Sequence, residues 1–85
     1  MSKEALIASA IESIEKYDID LAEKICKEVI AEGIDPVEVI DEGFTKGMRK
    51  IGTLFSNQEI PLPVVVLAAE VIQKAIELLE PHIPE

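Results

Sequence analysis

Few side chains in this sequence could do chemistry. It has one cysteine, Cys26, and one histidine, His82. A nucleophile–histidine–carboxylate triad or a metal site built on histidine and cysteine needs several such groups at fixed spacing, and a phosphate-binding loop needs clustered glycines. None of these patterns occurs among the 85 residues. We therefore expect no catalytic residue and no metal ligand.

The individual reactive groups also have simpler interpretations. Cys26 falls on the apolar face of a predicted helix, where a small buried hydrophobic residue is favoured over a reactive thiol. His82 lies between two prolines near the C-terminus, in a predicted linker, and is interpreted as a solvated residue rather than a ligand. Carboxylates such as Asp41 and Glu42 fall opposite the apolar stripes, so a solvated helix face accounts for them.

Composition narrows the possible functions. The net charge is −9, from 17 acidic and 8 basic side chains, which repels nucleic acid and anionic lipid. A content of 48% hydrophobic residues is typical of a folded chain, and 85 residues form one domain at most. No stretch is long and apolar enough for a signal peptide or a membrane span. We expect a soluble, cytoplasmic protein without nucleic-acid or membrane partners.

Hydrophobic periodicity determines the fold class. Apolar residues recur at three- and four-residue spacing along nearly the whole sequence, and no useful stretch alternates as a half-buried strand would. This pattern predicts an all-α fold, a small bundle of four to five short helices. The bundle should occupy residues 1–80, and residues 81–85, which contain two prolines, should begin an interdomain linker.

Capping residues predict where the helices start and stop. Ser2 and Asp20 are the expected N-caps of the first two helices, and Gly33 supplies the left-handed residue that ends the second. The sequence DPVE at 35–38 combines an N-cap, a first-turn proline and a capping-box glutamate. Two glycines, Gly43 and Gly47, then predict a break or kink in the third helix.

The segment 60–72, IPLPVVVLAAEVI, is apolar almost all round the helix that Pro63 is expected to open. Such a helix is either central to its bundle or covers something outside its own chain. From the residues alone three interpretations remain open. They are ordinary core, a cover for a large flat ligand, and a docking surface for a partner helix or domain.

Four short motifs follow one another between Ala31 and Pro81. They consist of Gly33, Asp35, Pro36, Ile40 and Gly43; then Gly47, Met48, Gly52 and Phe55; then Leu62 and Pro63; then Ala68, Ala69 and Glu70. This series resembles the helical N-terminal module, or cap, of cobalamin-binding corrinoid methyl-transfer proteins, such as those for methylamines or methanol, and the methionine synthase cap. One departure is Pro61, where that family usually carries an aromatic residue.

The resemblance implies a function that composition and periodicity do not. In that family the module covers the upper face of the corrin ring and shelters the cobalt–methyl bond, while a following Rossmann-like domain ligates cobalt from below. The resemblance implies that the cofactor contacts are Phe55, Leu62 and Val65. The implied cofactor is cobalamin, bound only together with a lower cobalt-ligating domain, whose D-x-H-x-x-G motif does not occur in these 85 residues.

The resemblance also implies partners. These are the corrinoid-binding Rossmann-like domain, a substrate-specific methyltransferase and an acceptor methyltransferase, as in methanogenesis from methylamines or methanol. The chain would be a non-catalytic part of that cobalamin-dependent system, and its apolar face, if uncovered, predicts a weak homodimer. The alternative is a stand-alone helical interaction or dimerisation module without a cofactor. Similar modules in light-responsive cobalamin regulators offer a third, weaker interpretation.

Overall fold

The structure, a computed structural model, describes residues 2–83, and this part of the chain is a helical bundle. Its elements are α1 (Lys3–Glu15), α2 (Ile19–Glu32), α3 (Pro36–Val39), a π-helical turn (Ile40–Phe44), α4 (Thr45–Ser56), α5 (Leu62–Leu79) and a 3₁₀ turn (Glu80–His82). The predicted all-α class is confirmed. Over the described range, no helix combines the length and hydropathy needed to cross a membrane.

The first two helices meet at a tight turn, which corrects one predicted cap. Ser2 caps α1 as expected, and its hydroxyl oxygen accepts a hydrogen bond from the backbone N–H of Ala5 at 3.1 Å. Tyr17 then takes a left-handed conformation with φ 55° and ends α1. The next residue, Asp18, caps α2 by accepting from the N–H of Leu21 at 3.0 Å. The predicted cap Asp20 was therefore wrong by two residues.

Gly33 ends α2 in the predicted way. Its φ of 67° lies in the left-handed region, where glycine carries no steric penalty. The N–H of Gly33 donates to the carbonyl of Ile30 at 3.3 Å, and the N–H of Ile34 donates to the carbonyl of Val29 at 3.1 Å. These two bonds form a Schellman motif, which satisfies carbonyl groups that the end of the helix leaves free.

The start of α3 follows the prediction except for its glutamate. The carboxylate of Asp35 accepts from the N–H of Val37 at 3.0 Å, and Pro36 takes the first helical position. The carboxylate of Glu38, expected to close a capping box, instead forms an ion pair with the ammonium group of Lys3 at 2.9 Å. The charge pair thus joins α3 to α1 in place of the local bond.

The glycines of the third helix serve packing and do not end the helix. In place of a break, the chain makes the π-helical turn and continues directly into α4. A Cβ atom added at Gly43 would lie 2.7 Å from the Cβ of Ala10, and one added at Gly47 would lie 2.8 Å from the Cβ of Ile14. Both glycines therefore let this long helix approach α1 more closely than any side chain would allow.

One hydrophobic core joins the helices, with α1 against α2 and α4, and α5 against α2 and α4. Its fully buried members are Leu6, Ala10, Ile14, Ala22, Ile25, Cys26, Val29, Val39, Phe44, Ile51, Ala68, Val71, Ala75 and Leu79. From α5 the core takes only residues beyond position 67. The first turns of α5 therefore contribute no fully buried side chain, although they are as apolar as the rest of the helix.

Cys26 is one of the core residues. Its sulfur lies 3.7 Å from the carbonyl oxygen of Ala75 on α5. Burial, with a smaller contribution from the negative charge of Glu23, raises the pKa of the Cys26 thiol to about 11. The thiol is therefore protonated at neutral pH, which confirms its interpretation as a small buried hydrophobic residue.

The described segment after α5 is more regular than expected from the prediction of a linker there. After α5, the segment Glu80–His82 forms a 3₁₀ turn, and the N–H of Ile83 donates to the carbonyl of Glu80 at 3.1 Å. His82 is exposed and lines an open pocket with residues 29–36. Of the predicted linker 81–85, Pro84 and Glu85 lie outside the described residues.

Candidate functional site

The candidate site lies where α4 ends and α5 begins. Phe55 in the last turn of α4 and Leu62 at the start of α5 are 42% and 59% exposed, and Val66, one turn further along α5, is 50% exposed. Val65 beside them is half-buried and packs against the core. We call these four residues the α4–α5 face. It is an apolar surface at one end of the bundle.

A tight turn fixes the α4 side of this face. Gln58 adopts a left-handed conformation with φ 60°, and its N–H donates to the carbonyl of Phe55 at 3.0 Å. The N–H of Glu59 donates to the carbonyl of Leu54 at 2.9 Å. This is again a Schellman motif, here with glutamine in the position that glycine usually takes. The motif holds the last turn of α4 and therefore the backbone of Phe55.

Two prolines fix the α5 side. Pro61 is extended, with φ −80° and ψ 163°, and occupies the N-cap position of α5, while Pro63 lies in the first turn as predicted. Proline has no N–H, so Pro63 removes one of the donors that the start of a helix leaves without a partner. The position of Leu62 is thus set by the proline on either side of it.

The loop between the helices adds a polar edge that sequence analysis did not single out. An open pocket beside the face is lined by Phe55, Ser56, Gln58, Glu59, Ile60 and Pro61. Sequence analysis included Ile60 and Pro61 in the apolar segment 60–72, but it gave no indication that Ser56, Gln58 and Glu59 border the apolar surface. Pro61, the departure from the family pattern, is exposed here and lines the pocket itself.

Two of the three predicted contacts are exposed side chains, Phe55 at the end of α4 and Leu62 at the start of α5. The third, Val65, is half-buried and packs against the core. None of them is fully buried, so ordinary core does not account for the apolar excess of segment 60–72. Their assignment as cofactor contacts remains a prediction.

The chemistry of this face suits an apolar contact better than a metal-binding site. Among residues 2–83, no group of three or more histidine, cysteine or acidic side chains is arranged to hold a metal ion. Cys26 is buried, and His82 lies at the other end of α5. A phenyl ring and branched aliphatic groups carry no lone pairs that would compete for a metal. The face can exclude water from a flat apolar surface.

Helices packed around one core, with an apolar face where α4 ends and α5 begins, define a small helical-bundle module. The sequence model of the B12 binding domain matches residues 6–80. The chain therefore belongs to the B12 binding domain family. Cobalamin, the cofactor expected from the sequence, is confirmed as the cofactor of this family.

Individual relatives are methylamine corrinoid proteins. The chain is 44% identical over 81 residues to the trimethylamine corrinoid protein of Methanosarcina barkeri, covering 95% of this chain and 37% of that protein. It is 35% identical to dimethylamine corrinoid protein 2 of Methanosarcina acetivorans, covering 98% of this chain and 38% of that protein. The chain thus spans less than two-fifths of the length of these relatives.

A solved structure shows the same fold. The monomethylamine corrinoid protein of Methanosarcina barkeri matches with a TM-score of 0.88 at 25% identity, over 95% of this chain and 38% of that one. The predicted helical architecture of a corrinoid-protein cap is thereby confirmed.

Proposed function

We propose that this chain is the cap of a cobalamin-dependent methyl carrier. Its α4–α5 face covers the upper face of the corrin and shields the cobalt–methyl bond, while methyl groups pass from a substrate-specific methyltransferase to an acceptor methyltransferase. One observation carries the proposal: Phe55 and Leu62 are 42% and 59% exposed at one end of a bundle whose buried core does not include them. Family membership supports cobalamin as the group that they cover.

The cofactor and the chain have different roles in this proposal. When bound, cobalamin supplies the cobalt centre that carries the methyl group. The residues of this chain exclude water from that centre, because Phe55, Leu62 and Val65 present only carbon and hydrogen to it. Movement of the cap away from the ring would admit each methyltransferase in turn. The chain supplies no acid, base or nucleophile to the transfer.

The direct partner in this proposal is a Rossmann-like domain that holds the corrin from below. The relatives are more than twice as long as this chain, which leaves room in them for such a domain. A corrin bound below and covered by the α4–α5 face would be enclosed on both sides. We propose cobalamin binding by the pair, with the lower domain ligating cobalt.

The test uses the chain fused to the corrinoid-binding domain of a methylamine corrinoid protein and loaded with methylcobalamin. The absorbance spectrum and the rate of photolysis of the cobalt–carbon bond are compared with those of the lower domain alone. The proposal predicts an altered spectrum and slower photolysis in the fusion. An unchanged spectrum and rate, with the helical signal of a folded cap, would contradict it and favour the stand-alone interaction module.

The uncovered face also predicts self-association. Full burial of side chains such as Phe55, Leu62 and Val66 contributes roughly 1.5–3 kcal/mol each, and about half of that remains to be gained because they are 42%, 59% and 50% exposed. The cost of association must be subtracted from this gain. We therefore expect a weak homodimer of the isolated chain, seen in sedimentation as a mass that rises with concentration. Leu62→Glu should abolish it, whereas Val37→Glu, at an exposed valine on α3, should not. A monomer at all concentrations would contradict the dimer and leave the cap proposal standing.

A further inference from the structure

Gly52 occupies an unusual position on α4. It lies inside the helix with an exposed surface, and a Cβ atom added there would meet no atom within 4 Å. Glycine is a poor helix former because it loses more backbone entropy on folding than alanine does. Nothing within the described chain therefore requires glycine at this position, and its presence weakens the helix.

The other glycines each have an internal reason. Gly33 needs a left-handed conformation, with φ 67°. Gly43 and Gly47 would place a Cβ atom 2.7 Å and 2.8 Å from side chains of α1. Gly52 has neither a positive φ nor a close neighbour. A bare stretch of helix backbone facing open space indicates that a group from outside the chain approaches it closely.

The bare backbone opens onto the candidate site. Gly52 and Phe55 are three residues apart on α4, so they are neighbours on one side of the helix. Ser56, one turn beyond Gly52, lines the pocket beside Phe55. The ring of Phe55 does not fill the space at Gly52, because no side-chain atom lies within 4 Å of the added Cβ. The space is therefore free for a ligand that also touches Phe55.

We infer that Gly52 is a point of close approach for the corrin, where the edge of the macrocycle lies directly against the backbone of α4. This inference rests on the proposed function and adds to it a contact that depends on a missing side chain. A rigid flat ring covered by Phe55 and Leu62 can reach the backbone of α4 only where no side chain projects from the helix. A Cβ atom would hold the ring away by about 1.5 Å, the length of one carbon–carbon bond.

The experiment compares Gly52→Ala and Gly52→Leu in the fusion loaded with methylcobalamin. Without cobalamin, Gly52→Ala should raise the melting temperature of the chain by about 4–8 °C, since alanine favours the helix. With cobalamin bound, the added methyl group should overpack the contact with the corrin. The equilibrium between the covered and open positions of the cap should then shift toward the open one by about fivefold, and photolysis should be faster. Gly52→Leu should have both effects more strongly. If Gly52 had only a structural role, its replacement would not raise the melting temperature and at the same time weaken protection of the cobalt–carbon bond.

The matched control is Ala31→Leu, which places the same side chain at an exposed position on α2 and should leave photolysis unchanged. If Gly52→Leu shields as well as the natural chain while Phe55→Ala does not, the inference on Gly52 is overturned and the cap function stands. A lower melting temperature for Gly52→Ala would also overturn it, since the chain itself would then need the glycine. If the natural fusion gives no shielding, both proposals fail together.

Discussion

Phe55→Ala should shift the equilibrium of the loaded cap toward its open position by about 3- to 10-fold and speed photolysis of methylcobalamin accordingly. The Phe55 ring is only partly covered by its own chain, so a corrin would bury most of what remains exposed. Full burial of a large apolar side chain contributes roughly 1.5–3 kcal/mol, so covering the 42% of Phe55 that is exposed contributes about 0.6–1.3 kcal/mol, and about 1.4 kcal/mol corresponds to a factor of ten. Photolysis under constant visible light, followed by absorbance, measures the change.

Two comparisons separate loss of shielding from loss of folding. The melting temperature of Phe55→Ala without cobalamin should stay close to that of the natural chain, because Phe55 lies outside the buried core. Val37→Ala removes a similarly exposed apolar side chain from α3 and should leave photolysis unchanged. Equal photolysis rates for Phe55→Ala and the natural fusion would remove Phe55 from the cofactor contacts.

Gly43→Ala should lower the free energy of unfolding of the chain by about 1–2 kcal/mol net, because overpacking at so short a contact falls in the upper part of the usual cost of about 1–3 kcal/mol. The added Cβ would lie 2.7 Å from the Cβ of Ala10 and 3.3 Å from the carbonyl oxygen of Ile7, so α1 would have to move. This cost exceeds the gain of about 1 kcal/mol in helix propensity. Urea denaturation followed by circular dichroism measures the change.

A second variant tests the cause of that loss. Ala10→Gly removes the closest atom, so the double variant Ala10→Gly, Gly43→Ala should be more stable than the sum of the two single changes predicts. Gly43→Ala should therefore lower the stability of the chain, whereas Gly52→Ala, on the same continuous helix, should raise it. An increase in stability from Gly43→Ala would show that α1 does not approach the helix as closely as described.

Helix boundaries were predictable wherever a local signal determined them. Ser2, Gly33 and Asp35 act through bonds to neighbouring backbone groups, so their sequence positions suffice. The cap of α2 was missed because Tyr17 adopts a left-handed conformation, which is uncommon for an aromatic residue. That conformation ends α1 early and makes Asp18 the cap.

Tertiary contacts were less accessible to sequence reasoning. Helix propensity treats Gly43 and Gly47 as breakers, whereas the structure uses them for close packing against α1, a requirement that no local pattern records. The partner of Glu38 was also missed, because Lys3 is distant in sequence and only the fold brings the two charges together.

The candidate site was predicted partly by composition and partly by resemblance. The apolar excess of segment 60–72 left ordinary core, a ligand cover and a docking surface as three open interpretations, and the exposure of Leu62 and Val66 agrees with the last two. The choice of Phe55, Leu62 and Val65 came from the resemblance to the family. Sequence alone could not show that Val65 is half-buried, because that depends on how α5 packs against the other helices.

The most direct test of the central claim is a paramagnetic NMR measurement on the fusion, with cob(II)alamin bound as the probe. An unpaired electron at cobalt broadens the resonances of nearby protons. If the α4–α5 face covers the corrin, the side-chain resonances of Phe55, Leu62 and Val65 should broaden strongly, while those of Ala31, on α2, should stay sharp. Sharp resonances for Phe55 and Leu62 in a folded, loaded fusion would contradict the account.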